Sequence, residues 1–543
     1  MKLAKFNKKI AILLSAVLTM SAVVGCSSSG NNVEADGVVL NVQVGSEPAT
    51  IDPAKNSAAD AATLINHAFE GLMKLDKDGK TIVEGQAAKY EVNDDQTVYT
   101  FTLRDDAKWS DDKAVTAEDF VYAWQRLVNP DTGADYNYMI DMVLNANDIM
   151  EGKKKPEELG IKAIDEKTVE VTLEKQTPYF LEVCAFPATF PVRKDIVEAN
   201  GETWSTDPET YVGNGPYKLQ SWEHQSKMTY VQNEKYYGVE DLGPDTINFV
   251  LMEDQNTILS AFKNGEILMG DDLPSEEIDA MKDNGLVVES QLGTYYLSIN
   301  TQKDVLNNEK VREALSLAID RNYIVEKVAK GGQIPADTFV PTGLTDADGK
   351  TEFHENATKW YDVNDYEGNV KKAKELLKEA GYENGKGLPS IELLCNPGHE
   401  PIMEAVQNMW KENLGVNSTI SSQDWNVFIQ TRKDGDFQVA RDGWLADYND
   451  PISFIDMWVT GGGNNNAHWS NAEYDKLVKE IKSTTDSAKR YELMHKAEDM
   501  LAKESPVVPL YYYTDLYLIS DKLEGMYTSP LGYKYFMYCS INE

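Results

Sequence analysis

The chain has 543 residues, with Lys+Arg 52 against Asp+Glu 89 and a formal net charge of −37. So acidic a surface excludes nucleic acid as a partner, because gripping phosphates needs a cationic face, and it describes a body that stays dispersed in water. The 4 cysteines lie far apart without a CxxC pair, which excludes a disulfide framework and a cysteine-held metal.

Lys2, Lys5, Lys8 and Lys9 precede an apolar run over 10–24 that closes on Val23-Val24-Gly25-Cys26. A cationic start, a short apolar middle and a small-residue exit describe a secretory leader, and the run falls short of the about 20 residues a membrane span needs. A cysteine directly after the small residues resembles the bacterial lipobox, which implies lipid on Cys26 and a mature chain starting there. Removing 1–25 takes away four lysines and no acids, so the formal charge goes from −37 to −41. Ser27-Ser-Ser-Gly-Asn-Asn32 then reads as a flexible tether that keeps the body near the membrane. What remains is long enough for about three domain-sized units. Cys184, Cys395 and Cys539 are expected as buried small apolar residues, with one bridge left open.

An alternating strand is expected over 38–44, and a helix over 58–72 stopped by Gly71. Residues 76–205 change character. They carry turns at Asp78-Gly79 and Asp94-Asp95, a strand over 97–103, a helix opened by a Thr116/Asp119 capping box, and a strand over 168–173. Gly213-Asn-Gly-Pro-Tyr217 resumes a strand-rich pattern through 218–230 and 246–252, so 76–205 reads as a small mixed domain inserted into a first one. Helices over 255–263 and after Ser275 lead to 286–299, which reads as one strand or two.

Asn308 caps a helix in which Val311, Leu315, Ala318 and Ile319 recur at helical spacing; Gly331-Gly332 ends it or the helix after it. A second helix runs from Asn369 to Gly381. Then come strand 391–395, helix 401–414, strand 416–421, helix 424–433 and strand 437–441. Strands joined by such helices lie parallel, and ligands of open parallel sheets bind beyond the carboxyl ends of the strands. The last strand is expected to break at Gly443, with Trp444, Asp447 and Tyr448 on a loop closed by Asp450-Pro451. His399 lies past the first strand end, Trp425 past the second, and Arg441, Trp444 and Asp447 at and past the third. Arginine offers a planar fork to a carboxylate, and aspartate accepts from an ammonium. The rim therefore suits a ligand with an apolar body and charges of both signs, such as a peptide with free ends.

An enzyme is the rival class. Asp111-Asp112 and Asp271-Asp272 read as turns and solvated faces rather than paired catalytic acids. HExxH, GxSxG and P-loop patterns are missing, Asp346-Ala-Asp-Gly349 and Asp76-Lys-Asp-Gly79 depart from calcium-loop spacing, and Gly461-Gly-Gly-Asn-Asn-Asn466 reads as a loop at the rim. No cofactor or metal is expected.

Glu47-Pro-Ala-Thr-Ile-Asp-Pro53, Tyr99-Thr-Phe-Thr-Leu-Arg-Asp-Asp-Ala-Lys-Trp-Ser110, Asn214-Gly-Pro-Tyr217, Val311-Arg-Glu-Ala-Leu-Ser-Leu-Ala-Ile-Asp-Arg321 and Ala440-Arg-Asp-Gly-Trp-Leu-Ala-Asp-Tyr-Asn-Asp-Pro451 resemble motifs of the oligopeptide-binding proteins of bacterial ABC importers. The resemblance spans nearly the whole mature chain. It implies an α/β, two-lobed periplasmic-binding-protein fold with an extra inserted domain, its lobes hinged by two crossing strands near residues 300 and 510. The implied division is leader 1–25, tether 26–37, first lobe 38–75, 206–300 and 512–543, inserted domain 76–205, and second lobe 301–511.

By position, the resemblance implies that Asp447 holds a peptide's amino end and that Arg441, Arg432 and His399 meet its carboxylate. Trp425 and Trp444 would be pocket walls, Gly443 to Leu445 the backbone that pairs with the peptide, and Tyr136 or Tyr138 a tyrosine near the amino end. Tyr448 and Glu47 complete the expected contacts. Departures exist: Leu445 stands where relatives carry a bridged cysteine, Ala329 with Lys330 beside it near a lysine used for longer peptides, and Pro48 cannot donate a backbone hydrogen bond. The implied partners are short peptides and an ABC permease, the expected state a monomer, and the expected place the outer face of the membrane. Relatives of this kind also take nickel complexes, sugars, signalling peptides or cell-wall peptides; Asp447 with Arg441 favours a zwitterion.

Overall fold

The computed structural model describes residues 37–542 apart from 46, 275 and 530, and only the backbone of 425 and 426. The leader, Cys26, the tether and the Ser275 cap lie outside the described residues. Among those described, no helix is long and apolar enough to cross a membrane.

An 11-stranded sheet runs through the body. From one edge its order is Ser418–Ser422, Ile391–Cys395, Val439–Leu445, Leu286–Ile299, Val507–Ile519, Met269–Gly270, Val39–Gln43, Thr246–Val250, Lys227–Gln232 and Tyr217–Glu223, with Ile334–Pro335 pairing on Val507–Ile519. The expected βαβαβ run is present: Ile391–Cys395 pairs parallel with both Ser418–Ser422 and Val439–Leu445. Helices Glu400–Leu414 and Trp425–Lys433 supply the crossovers.

The stretch left open as one strand or two is a single strand, Leu286–Ile299, and it runs antiparallel to the long Val507–Ile519. These two are the crossing strands between the halves of the sheet. Their ladder is not regular: between Ser290↔Thr514 and Thr294↔Tyr512 the register shifts, so Gln291, Leu292 and Gly293 face Tyr513 alone. On one side of the pair, Trp410, Leu393 and Val439 anchor a core between the parallel strands and the helices. On the other, a larger core gathers Trp109, Trp124 and Trp204 with the first strands. A separate four-stranded sheet, Ala87–Val92, Val98–Leu103, Thr168–Thr172 and Ile161–Asp165, lies within residues 87–172. Its helix Ala117–Val128 opens on the Thr116/Asp119 capping box expected from the sequence.

Three local expectations shift. Helix Ala59–Ala68 ends before Gly71, because Gly215 N–H takes the Ala68 carbonyl at 2.9 Å and the Asn214 side chain takes Glu70 N–H at 3.0 Å. Helix Tyr366–Glu379 starts a turn earlier than Asn369, capped by Asp365, whose carboxylate accepts from Gly368 N–H at 3.0 Å. Asp271 is not on a solvated turn: Lys534, itself buried, sits 2.7 Å from Asp271 and 2.7 Å from Asp515, and burial pushes the Asp271 carboxyl up to about 7. The calcium-like stretches are turns, as read: Asp78 and Asp348 each accept from the backbone N–H groups two and three residues on. Cys184, Cys395 and Cys539 are free and buried.

Candidate functional site

Strand Val439–Leu445 positions the site. One edge pairs with Leu286–Ile299 along its whole length, from Ile299↔Val439 to Gly293↔Leu445. The other meets Ile391–Cys395 only at Leu393↔Val439 and Leu394↔Ala440. Residues 441–445 therefore present an edge with no strand neighbour among the described residues, a template for an added strand. The expected break at Gly443 is not there. The strand continues through it, paired with Tyr295, and Tyr513 crosses above: a Cβ on Gly443 would lie 2.2 Å from the tyrosine oxygen. Glycine here is a packing requirement, not a stop.

Past the strand end, Asp447 is 8% exposed and accepts from Tyr138 Oη at 3.0 Å, while its own N–H donates to Ser453 Oγ at 3.1 Å. No cation pairs with it among the described residues. Burial, with Asp456 adding to it and the Tyr138 bond opposing, raises its carboxyl to about 7. Three cavities, of about 170, 90 and 70 Å³, share Asp447 as a wall. The first also meets Trp444 and Tyr138, and the second Tyr136 and Leu445. Both tyrosines left open by the sequence are thus present, 5.6 Å apart between ring centres, their phenols pushed well above the ordinary range by burial and by Asp447. Tyr448 is buried and stacks flat on Tyr179 at 4.2 Å.

The other charged end lies at the carboxyl ends of the parallel strands. Arg441 Nε donates to Asn396 Oδ1 at 2.7 Å, and its guanidinium lies 6.0 Å from the Tyr295 ring centre and 5.5 Å from that of Phe428. His399, at the start of helix Glu400–Leu414, contacts Tyr295 Oη through Nδ1 at 3.2 Å. Burial, then the neighbouring Arg441 charge, pushes this imidazole down to about 4, so it is neutral at pH 7. An arginine beside a neutral imidazole can receive a carboxylate.

Two expected contacts are engaged elsewhere. Arg432 forms a buried ion pair with Asp442, which also accepts from Asn466 at 2.8 Å and from Gly443 N–H at 2.9 Å. Glu47 accepts from Gln225 N–H at 2.7 Å and contacts His224 at 2.7 Å, and it lines none of the three cavities. Trp425 opens helix Trp425–Lys433, and its side chain lies outside what is described. Sequence reading missed Asp141, Asp456 and Lys482, which line the largest of the three cavities, and Asn396, which holds Arg441. They come from separate segments with no shared motif; only the position of Asn396 just past a strand end could have pointed to it.

The model of the bacterial extracellular solute-binding proteins, family 5, matches residues 81–466. The oligopeptide-binding protein OppA of Bacillus subtilis is 35% identical over 545 residues, covering 97% of this chain and 98% of that protein. The periplasmic OppA of Salmonella typhimurium is 37% identical over 521 residues, covering 94% of each. Among solved structures, Haemophilus influenzae OppA in complex with RPPGFSPFR superposes with a TM-score of 0.81 at 32% identity, covering 94% of this chain and 99% of that one. The likeness extends over both halves of the sheet, so the architecture is the two-lobed periplasmic-binding fold. On this evidence the chain belongs to the bacterial extracellular solute-binding proteins, family 5.

Proposed function

We propose that the chain captures short peptides between its two lobes and delivers them to an ABC import permease, as a monomer held by lipid on Cys26 at the outer face of the cell membrane, without catalysing a reaction. The observation that carries this reading is Asp447, a buried carboxylate on a cavity wall with no cation paired to it among the described residues. An uncompensated buried carboxylate is costly, and a ligand ammonium relieves that cost. Arg441 with neutral His399 offers a receptor for the opposite end. Two ends of opposite charge favour a zwitterion over a sugar. The open edge at 441–445 can add the peptide backbone as a strand, which gives affinity without reading side chains.

The end charges fix direction and register, and cavities with room for water beside a ligand would admit side chains of more than one kind. Closure excludes solvent and strengthens the end contacts, so tighter binding by the shut form drives the crossing strands to bend. Native mass spectrometry of the protein incubated with a mixture of short peptides tests the reading. Bound intact peptides are expected; cleaved products, or binding only of ligands without free ends, would overturn it.

A further inference from the structure

The largest cavity at Asp447, about 170 Å³, is amphipathic. Met139, Met142, Met457 and Trp444 give it thioether and indole walls, surfaces suited to a chain of methylenes. Its polar part holds Asp141 and Asp456 around one lysine: Lys482 Nζ lies 2.7 Å from Asp456 and 3.7 Å from Asp141. Among the residues that line the cavity, one ammonium therefore faces two carboxylates. Lys175 also acts on Asp141 but does not line the cavity. Asp447, nine-tenths buried and with no cation paired to it among the described residues, faces the same space. A ligand ammonium bound at Asp447 takes that carboxylate as its own counter-charge and leaves Asp141 and Asp456 on the cavity wall.

Resting on the peptide reading above, we propose that this cavity takes the side chain of the peptide's amino-terminal residue and selects lysine or arginine there, with Asp141 and Asp456 as the specificity-determining carboxylates. The methylene stem lies along the methionines and the indole, and the cationic head reaches the Asp141 and Asp456 carboxylates on the polar wall. A glutamate in the same place meets two like charges before it meets Lys482.

The test is calorimetry on the full chain with Ala-Ala-Ala, Lys-Ala-Ala, Leu-Ala-Ala and Glu-Ala-Ala. Lys-Ala-Ala is expected to bind about tenfold more tightly than Leu-Ala-Ala, and Glu-Ala-Ala to bind worst. In Asp141→Asn the lysine-to-leucine affinity ratio should fall towards one. In Lys482→Met, which removes the competing cation, it should rise. Equal binding of the lysine and leucine peptides by the unmodified protein overturns the selectivity, and a preference for glutamate reassigns the cavity to an anion held by Lys482. Binding of Ala-Ala-Ala without any advantage for lysine sinks this inference and leaves the peptide reading standing. Failure of all four peptides to bind removes both.

Discussion

Tyr138 donates its phenol hydrogen to Asp447 across 309 residues of sequence, at 3.0 Å. The tyrosine comes from the segment that carries the four-stranded sheet, and the aspartate from just past the end of the edge-exposed strand of the large one. That bond is the only hydrogen bond from a side chain to this carboxylate among the described residues, and it is neutral. In the proposed reading, a ligand ammonium supplies the counter-charge that Asp447 lacks among the described residues. Asp447→Ala is expected to weaken peptide binding by ~3 to 5 kcal/mol, because the bound ammonium is left buried without a partner. Calorimetry showing a loss under about 1 kcal/mol would remove Asp447 from that role.

The raised Asp447 carboxyl sets a pH dependence. In the ligand-free protein it titrates at about 7, up from 3.8, while an ammonium beside it favours the ionised form and lowers the bound value. Below about 7 binding must expel a proton, so affinity falls as pH falls towards 5. Tyr138→Phe removes a bond that favours the carboxylate and should move the onset of the loss to higher pH. Titrations between pH 5 and 8, in two buffers of different ionisation enthalpy, measure the released proton; a profile unchanged in Asp447→Asn would assign the dependence to another group.

The ligand-free fold feels the same group with opposite sign. Because the folded value is raised above 3.8, the folded state holds a proton that the unfolded chain has lost, and stability from Asp447 declines as pH climbs from about 4 through 7. Asp447→Asn should flatten that decline in thermal unfolding followed across the window.

Arg432, on helix Trp425–Lys433, and Asp442, within strand Val439–Leu445, form a buried pair. Asp442→Ala leaves a buried guanidinium uncompensated and should cost about 3 kcal/mol of stability, read as a fall in the chemical-denaturation midpoint. Arg432→Met is expected to lower stability more than peptide affinity. The reverse order would place Arg432 among the ligand contacts.

Gly443→Ala drives a methyl group against the Tyr513 hydroxyl and should destabilise by about 1 to 3 kcal/mol. Adding Tyr513→Phe removes the oxygen in the way and should recover part of the loss. A double-mutant cycle with no coupling between the two would disprove the contact.

Cys26→Ala should shift the protein from the membrane fraction to the medium and abolish its labelling by a palmitate analogue. Retention in the membrane fraction with the label intact would sever Cys26 from the anchor.

The parallel run was legible because each of its parts is local: short strands, helices with their own stop signals, and chemistry-bearing residues just past the strand ends. Asp447, Arg441 and His399 emerge from that pattern with their burial and neutral or charged state still unknown. What stayed hidden depends on distant chain. Gly443 looks like a breaker until Tyr513 is seen above it, seventy positions later. Asp271 looks like a turn until Lys534 is folded against it. Arg432 looks free for a ligand, although Asp442, ten residues on, takes it across the helix-to-strand connection. Composition names the charges; only the fold assigns their counter-ions.

The irregular ladder of the crossing strands has a mechanical meaning. Where three residues face Tyr513 alone, the ladder loses its regular cross-links, and an irregularity of this kind bends the strand and raises its local twist. Tyr513 is also the side chain resting on Gly443, and its ring would lie 2.8 Å from a Cβ on Gly293. A change in the angle between the two crossing strands would therefore press first on this one aromatic ring, and through it on residue 443 of the open edge.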